Sequence, residues 1–309
     1  MAVVEMQDLT KVYRPFLGGL GVLAVNQLTL DIEQGETFGL VGPNGSGKTT
    51  TIKLLLGLLY PNKGRCRLFG KKVFAMSVKE RIGYMPEAPY FYDHLTGEQL
   101  LHYYASFFAM SKSRRRERVE ALLSMVGMQE RRKMLLRHYS RGMLQRIGLA
   151  QAMINDPELL ILDEPTSGLD PIGSYQIRNL IVELKHLNKT IILCSHLLGE
   201  VETLCDRVGM LHRGNLLACG TLEELLPEAK EARVSMQVPP EAETELSAMG
   251  LSPECEEGLV SVLAPVGQLD PVLDVVRKCG GTLFEVRRSR QTLEQFFVQK
   301  VREREVVTP

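Results

Sequence analysis

The 309-residue sequence has no excess of charge: 37 Lys and Arg balance 37 Asp and Glu. That excludes the global field that marks most nucleic-acid and polyanion binders and leaves only local patches. Long apolar runs are missing too; none approaches the roughly 18 uncharged residues that a spanning helix needs. The start, Met1-Ala2-Val3-Val4-Glu5, lacks the basic region and apolar core of a secretion signal. Any membrane role is therefore expected to work through a partner. The six cysteines, at 66, 194, 205, 219, 255 and 279, form no C-x-x-C pair, which argues against zinc and a disulfide framework and for reduced, mostly buried thiols. There is no internal repeat. What remains is ordinary for a globular chain, 44% hydrophobic and 24% charged, long enough for one large domain or two.

The stretch that organises the rest is Gly42-Pro43-Asn44-Gly45-Ser46-Gly47-Lys48-Thr49-Thr50. It fits G-x-x-x-x-G-K-[ST] and lies between an apolar strand-like run, Thr37 to Val41, and a helical run with Ile52, Leu55, Leu56 and Leu59 at i, i+3, i+4, i+7. Such a loop turns its backbone N–H groups inward, and the helix beginning near Gly47 adds its positive end, so phosphate oxygens are cradled. Lys48 is expected to reach the β- and γ-phosphates and Thr49 to ligate Mg²⁺. The sequence contains one such loop.

From Val3 to about Glu36 the alternation reads as short antiparallel strands around a turn at Gly18-Gly19-Leu20-Gly21, with Tyr13 ending the first strand where an aromatic platform for a base would suit. After strands near Arg67 to Gly70 and Ile82 to Met85, the character becomes helical from about Ala88 to Asp156. Thr96 and Gln99 form a capping box before Leu100 to Met110; Val119 to Val126 mark a second helix closed by Gly127; Ser140 caps a third that stops at Asn155-Asp156-Pro157. The sheet then resumes. Glu158 to Glu164 is a buried strand ending in two carboxylates, Asp170-Pro171 opens a helix, and Lys189 to Ser195 is another buried strand with His196 at its end. Arg207 to Leu211 and Leu216 to Cys219 form a hairpin. Past Thr221, strands at Arg233 to Val238, Leu259 to Leu263 and Thr282 to Val286 alternate with helices near Glu241 to Met249, Leu269 to Lys278 and Thr292 to Val301. The fold class is α/β: a phosphate-loop sheet core with an N-terminal antiparallel subdomain and a helical insertion, plus a small C-terminal α+β domain. The boundaries fall at 1–224, with the insertion at about 88–156, and 225–309.

Asp163 and Glu164 divide the labour of ATP hydrolysis on this reading, one holding Mg²⁺ and the other orienting or deprotonating water; His196 is placed to bond the γ-phosphate. These motifs together resemble an ATP-binding-cassette (ABC) transporter ATPase subunit over residues 2 to 222. The resemblance implies that Tyr13 stacks on adenine, that Gly42, Asn44, Gly45, Ser46, Gly47, Lys48, Thr49 and Thr50 hold the phosphates, and that Ser167-Gly168-Leu169-Asp170 is a loop crossing a dimer. It also implies that Ser140 and Gly142, within Tyr139-Ser140-Arg141-Gly142-Met143, face ATP on an opposite subunit. Tyr139, Arg141 and Met143 depart from the family's Leu, Gly and Gln, and Glu87 stands where the family has a glutamine that links Mg²⁺ to the membrane partner. A carboxylate serves as a ligand as well as an amide does. The Tyr-Ser-x-Gly-Met and Pro-Glu segments and the late Leu293-Glu294-Gln295-Phe296-Phe297 are similar to those of bacterial drug, ion and polysaccharide exporters.

The expected protein is thus a cytoplasmic ATPase, bound peripherally to the inner face of the cell membrane through a separately encoded integral membrane subunit. It would act as a homodimer or heterodimer of ATPase subunits with ATP and Mg²⁺. The rival class is a soluble ATPase of the same fold that regulates or assembles a complex without moving solute. The run Arg114-Arg115-Arg116-Glu117-Arg118 reads as a solvated helix face, and no nucleic-acid partner is expected, because no stacking pattern accompanies it. Tyr103, Tyr104, Phe107 and Phe108 exceed what one helix face needs, and either seat a helix of the membrane partner or pack in the core.

Overall fold

The computed structural model describes residues 2–14, 21–226, 231–256, 258–288 and 291–307. It divides into two compact units, Met1–Leu222 with Lys300–Pro309, and Glu223–Gln299.

The first unit opens with β1 (Ala2–Tyr13), β2 (Val22–Glu33), β3 (Thr37–Val41), α1 (Lys48–Leu55), β4 (Lys63–Leu68), β5 (Lys71–Lys72), α2 (Met76–Lys79) and β6 (Ile82–Met85). Three helices follow: α3 (Gly97–Ala105), α4 (Lys112–Met125) and α5 (Arg141–Ala152). The sheet then resumes with β7 (Leu159–Asp163), α6 (Pro171–His186), β8 (Thr190–Ser195), α7 (Leu198–Leu204), β9 (Arg207–His212), β10 (Asn215–Thr221) and the short α8 (Leu222–Leu225). One sheet is antiparallel, in the order β2-β1-β4-β5; the other runs β10-β9-β3-β8-β7-β6 and is parallel except for β10 at its edge. Every residue of β3, β7 and β8 is buried, as the uninterrupted apolar runs demand of strands covered on both faces. Leu28 and Ile32 of the antiparallel sheet and Ile52 of α1 share one core with Phe38, Ile161 and Ile192 of the parallel sheet. The carboxyl ends of β3, β8 and β7 lie side by side, which is where open α/β sheets place ligands.

Several local expectations shift. The N-terminal strands are two long ones of 12 residues each, and of the expected Gly18 to Gly21 turn only Gly21 lies within the described residues. Helix α1 stops at Leu55, so Leu59 is not on it: Gly57 turns the chain at φ +61, and Leu56 caps the helix. Helix α3 ends at Ala105 rather than Met110, because the Ser106 hydroxyl donates to the Tyr103 carbonyl at 2.6 Å and Ser111 already caps α4. Strand β5 and helix α2 are too short to leave a periodic trace.

The second unit comprises β11 (Glu231–Gln237), α9 (Pro240–Ala248), β12 (Glu254–Glu256), β13 (Leu259–Pro265), α10 (Leu269–Lys278) and β14 (Thr282–Arg288), followed by α11 (Leu293–Val307). Its sheet is antiparallel with order β12-β13-β11-β14. The β-α-β-β-α-β succession with that order is the ferredoxin-like arrangement. Val234, Met236, Val260 and Val262 pack with Leu246, Val272 and Val276 into its core.

Candidate functional site

Between β3 and α1 the phosphate loop turns through Gly42 at φ +151 and Gly47 at φ +110. A Cβ on Gly47 would collide with the Ala24 carbonyl, so both the torsion and the close approach require glycine there. Gly47 caps α1 without a side-chain hydrogen bond, which leaves the first helical N–H groups aimed into the loop. The Ser46 hydroxyl is buried with no partner. These donors, and the lysine beside them, are what a triphosphate takes up. Lys48, 6% exposed, donates from Nζ to the Gly42 carbonyl at 2.6 Å and lies 3.7 Å from Glu164 Oε1.

The residues around this loop line a cleft of about 560 Å³, within the usual range for a small-molecule site. Tyr13, Asn44, Gly45, Ser46, Gly47, Lys48, Thr49, Thr50, Glu87, Asp163, Glu164 and His196 all line it. Tyr13 ends β1 at 40% exposure; Gly42 is not among the lining residues and acts by holding Lys48 through its carbonyl. Asp163 closes β7, and Glu164 follows in the left-handed region at φ +50, its N–H donating to the Cys194 carbonyl at 2.8 Å. A glutamate held in that conformation stores strain of a kind that clusters at working sites. Glu164 Oε2 lies 2.7 Å from His196 Nδ1.

Burial pushes the Asp163 carboxyl up to about 6, and the Glu164 and Glu87 carboxylates push the same way, against Lys48 and Lys53. Among the described residues no three His, Cys, Asp or Glu side chains form a protein-only metal cage. Thr49, Asp163 and Glu87 fit instead a hard divalent cation that shares its ligands with phosphate oxygens, and whose charge relieves the crowded carboxylates.

Ser140, Gly142 and Asp170 stand outside this cleft. The Ser140 hydroxyl caps α5, accepting from the Met143 N–H at 3.3 Å, and the Asp170 carboxylate caps α6, accepting from the Gly173 N–H at 2.6 Å. Gly142 faces Leu169, so the α5 start and the loop before α6 meet within one chain.

Several supporting contacts went unread in the sequence. The Ser167 hydroxyl donates to Glu87 at 3.4 Å, and Gln145, 1% exposed, donates to the Glu87 carbonyl at 2.9 Å. The buried Thr166 hydroxyl donates to Glu200 at 2.6 Å, and Arg178 lies 3.7 Å from the same carboxylate. Glu200 thus ties α7, which starts two residues after His196, to the loop after Glu164. No periodicity signals such pairs.

Fold and site define a phosphate-loop ATPase. Residues 25–167 match the family model described as ABC transporter. An uncharacterized ABC transporter ATP-binding protein of Synechocystis sp. is 41% identical over 309 residues, covering 99% of this chain and 86% of the relative. The bacitracin transport ATP-binding protein BcrA of Bacillus licheniformis is 34% identical over 311 residues, 97% of each chain. The structure of cbiO1 from Clostridium perfringens, part of the ABC transporter complex cbiONQ, matches with a TM-score of 0.65 at 28% identity, over 72% of this chain and 90% of that one. The chain belongs to the ABC transporter ATP-binding proteins and is the ATP-hydrolysing subunit of a transporter. The regulatory alternative falls away with that. Among the described residues no helix is long and apolar enough to cross a membrane.

Proposed function

We propose that this subunit powers export, acting on the cytoplasmic face of the membrane as a homodimer or heterodimer that sandwiches two ATP molecules and docks on a separately encoded integral membrane subunit. The working division is a nucleotide-binding domain over 1–224 and an accessory domain over 225–309. The similarity to a bacitracin transport protein supports export of a drug-like solute. The observation that carries the reading is the convergence of Lys48, Asp163, Glu164 and His196 on one phosphate loop.

In this reading Tyr13 stacks on the base, the loop amides from Gly42 to Thr50 hold the phosphates, and Lys48 leaves the Gly42 carbonyl to bind the γ-phosphate. Thr49, Asp163 and Glu87 would hold Mg²⁺, which would supply charge neutralisation to the phosphates. Glu164 accepts a proton from water as the water oxygen bonds to the γ-phosphorus; the bond to the bridging oxygen breaks, and ADP leaves with that electron pair. His196 holds the γ-phosphate, and Ser140 and Gly142 serve the nucleotide of the other subunit. Tyr103 and Phe107, 41% and 64% exposed, seat the membrane partner.

The test is Glu164→Gln. Size-exclusion chromatography with ATP should show a nucleotide-locked dimer, and phosphate release should fall roughly 10²- to 10⁴-fold, the contribution of a positioned base. Turnover equal to wild type would remove Glu164 from the chemistry.

A further inference from the structure

The sheet of the second unit stops at an edge that its own residue pattern leaves incomplete. Register aligns Val262 with Val234 and Val234 with Val286. The first two are 1% and 0% exposed, whereas Val286 is 39% exposed, beside Leu283 at 42% and Phe284 at 61%. A row of three valines thus runs to the edge and ends half-covered. On the other face Arg287 stands opposite Arg233, and like charges directly opposite repel. Arg233 has Glu254 at 3.5 Å and Arg287 has only Glu285 of its own strand at 3.8 Å among the ion pairs of the described residues. Strand β14 is last in the sheet order, and no strand among the described residues pairs with its outer side. The register of β14 shifts between Leu283 and Glu285, a device that blunts an edge on that side; the regular stretch from Glu285 to Arg288 contains neither Pro nor Lys.

We propose that this edge pairs with β14 of a second copy of the chain, antiparallel, about a two-fold axis at Val286. A two-fold normal to a sheet keeps each side chain on its own face, so opposite residues share parity and the axis passes through a residue. Through Glu285 it sets two carboxylates against each other. Through Phe284 it falls in the register shift between Leu283 and Glu285 and leaves Arg287 unanswered. Through Val286 it faces Glu285 with Arg287 of the copy, twice, and extends the valine row to its own image. The two four-stranded sheets then become one of eight strands. An edge pair alone buries less than a standard interface, so the association is weak and concentration-dependent.

The experiment uses the full chain without nucleotide, so that an ATP sandwich contributes nothing. Sedimentation equilibrium over a concentration series compares wild type with Glu285→Arg, Arg287→Glu and the double reversal, each checked by circular dichroism. Wild type should self-associate, each single reversal should weaken association roughly tenfold by turning two attractive pairs repulsive, and the double reversal should restore it. Val286→Cys in a Cys255→Ser background should give a disulfide-linked dimer on mild oxidation, and Arg277→Cys on α10 in the same background should not. A chain monomeric throughout, or equal association in all four proteins, overturns the proposal. Association that appears only with the membrane subunit overturns it in favour of that partner.

Discussion

Replacing Asp163 by Asn is expected to stabilise the fold while ending catalysis, and the pH dependence of that gain is the telling part. Asp163 is 6% exposed, and its carboxyl titrates at about 6 against 3.8 in a free chain. Its folded value is raised, so the folded state binds more protons across that interval. Its contribution to stability is therefore most favourable below about pH 4 and falls as pH rises through 6. A rise of about 2 units corresponds to ~3 kcal/mol at full burial, and screening on the side open to the cleft brings this to about 1–2 kcal/mol at neutral pH. Glu98 and Glu158, held below the usual carboxylate range by hydrogen bonds from Arg132 and Arg81, act in the opposite sense, losing stability as pH falls. Only the difference between variant and wild type isolates Asp163. Thermal unfolding without nucleotide from pH 4 to 8 should show no difference at the acid end and a gain of about 2–6 °C in Asp163→Asn by pH 7. Mg²⁺ with ATP should stabilise wild type and leave the variant almost unmoved. A variant less stable than wild type at pH 7, or a difference flat with pH, would refute the account.

Gly83→Ala would place a methyl group against the Ala152 carbonyl, a backbone atom with nowhere to go; unfolding should cost about 1–3 kcal/mol less in denaturant titration, with m unchanged. Thr166→Val removes the hydroxyl that Glu200 accepts, so ATPase kcat should fall while KM for ATP holds, and stability should drop by about 1–2 kcal/mol; an unchanged kcat would make that bond merely structural. Phe107→Asp should leave basal ATPase unchanged and stability within about 0.5 kcal/mol of wild type, and abolish transport in vesicles that carry the membrane subunit. Unfolding of that variant would place Phe107 in the core instead.

How much of this was legible beforehand follows from the range of each interaction. Where one short stretch carries its own cause, the reading held: the apolar run into Asp163, the caps at Thr96, Ser140 and Asp170, and the glycine-bounded loop at Lys48 are local chemistry. Helix ends slipped where periodicity outlasted the helix, at Leu59 and again beyond Ala105, because a leucine or phenylalanine past a turn can still reach the core. Contacts between distant segments left no trace. Arg141 is the sharpest instance. From the sequence it is a departure, a bulky cation where similar proteins have glycine beside Ser140. In the fold its guanidinium lies over Gly168, where any Cβ would collide with it, and Gly168 itself sits at φ +67. A glycine lost from the start of α5 is thus answered by one in the loop before α6. The space that the larger side chain occupies is left open by the segment that approaches it. A substitution at Gly168 would strain the backbone at φ +67 and move the far end of the Arg141 side chain, so a change in that loop is felt in the altered signature.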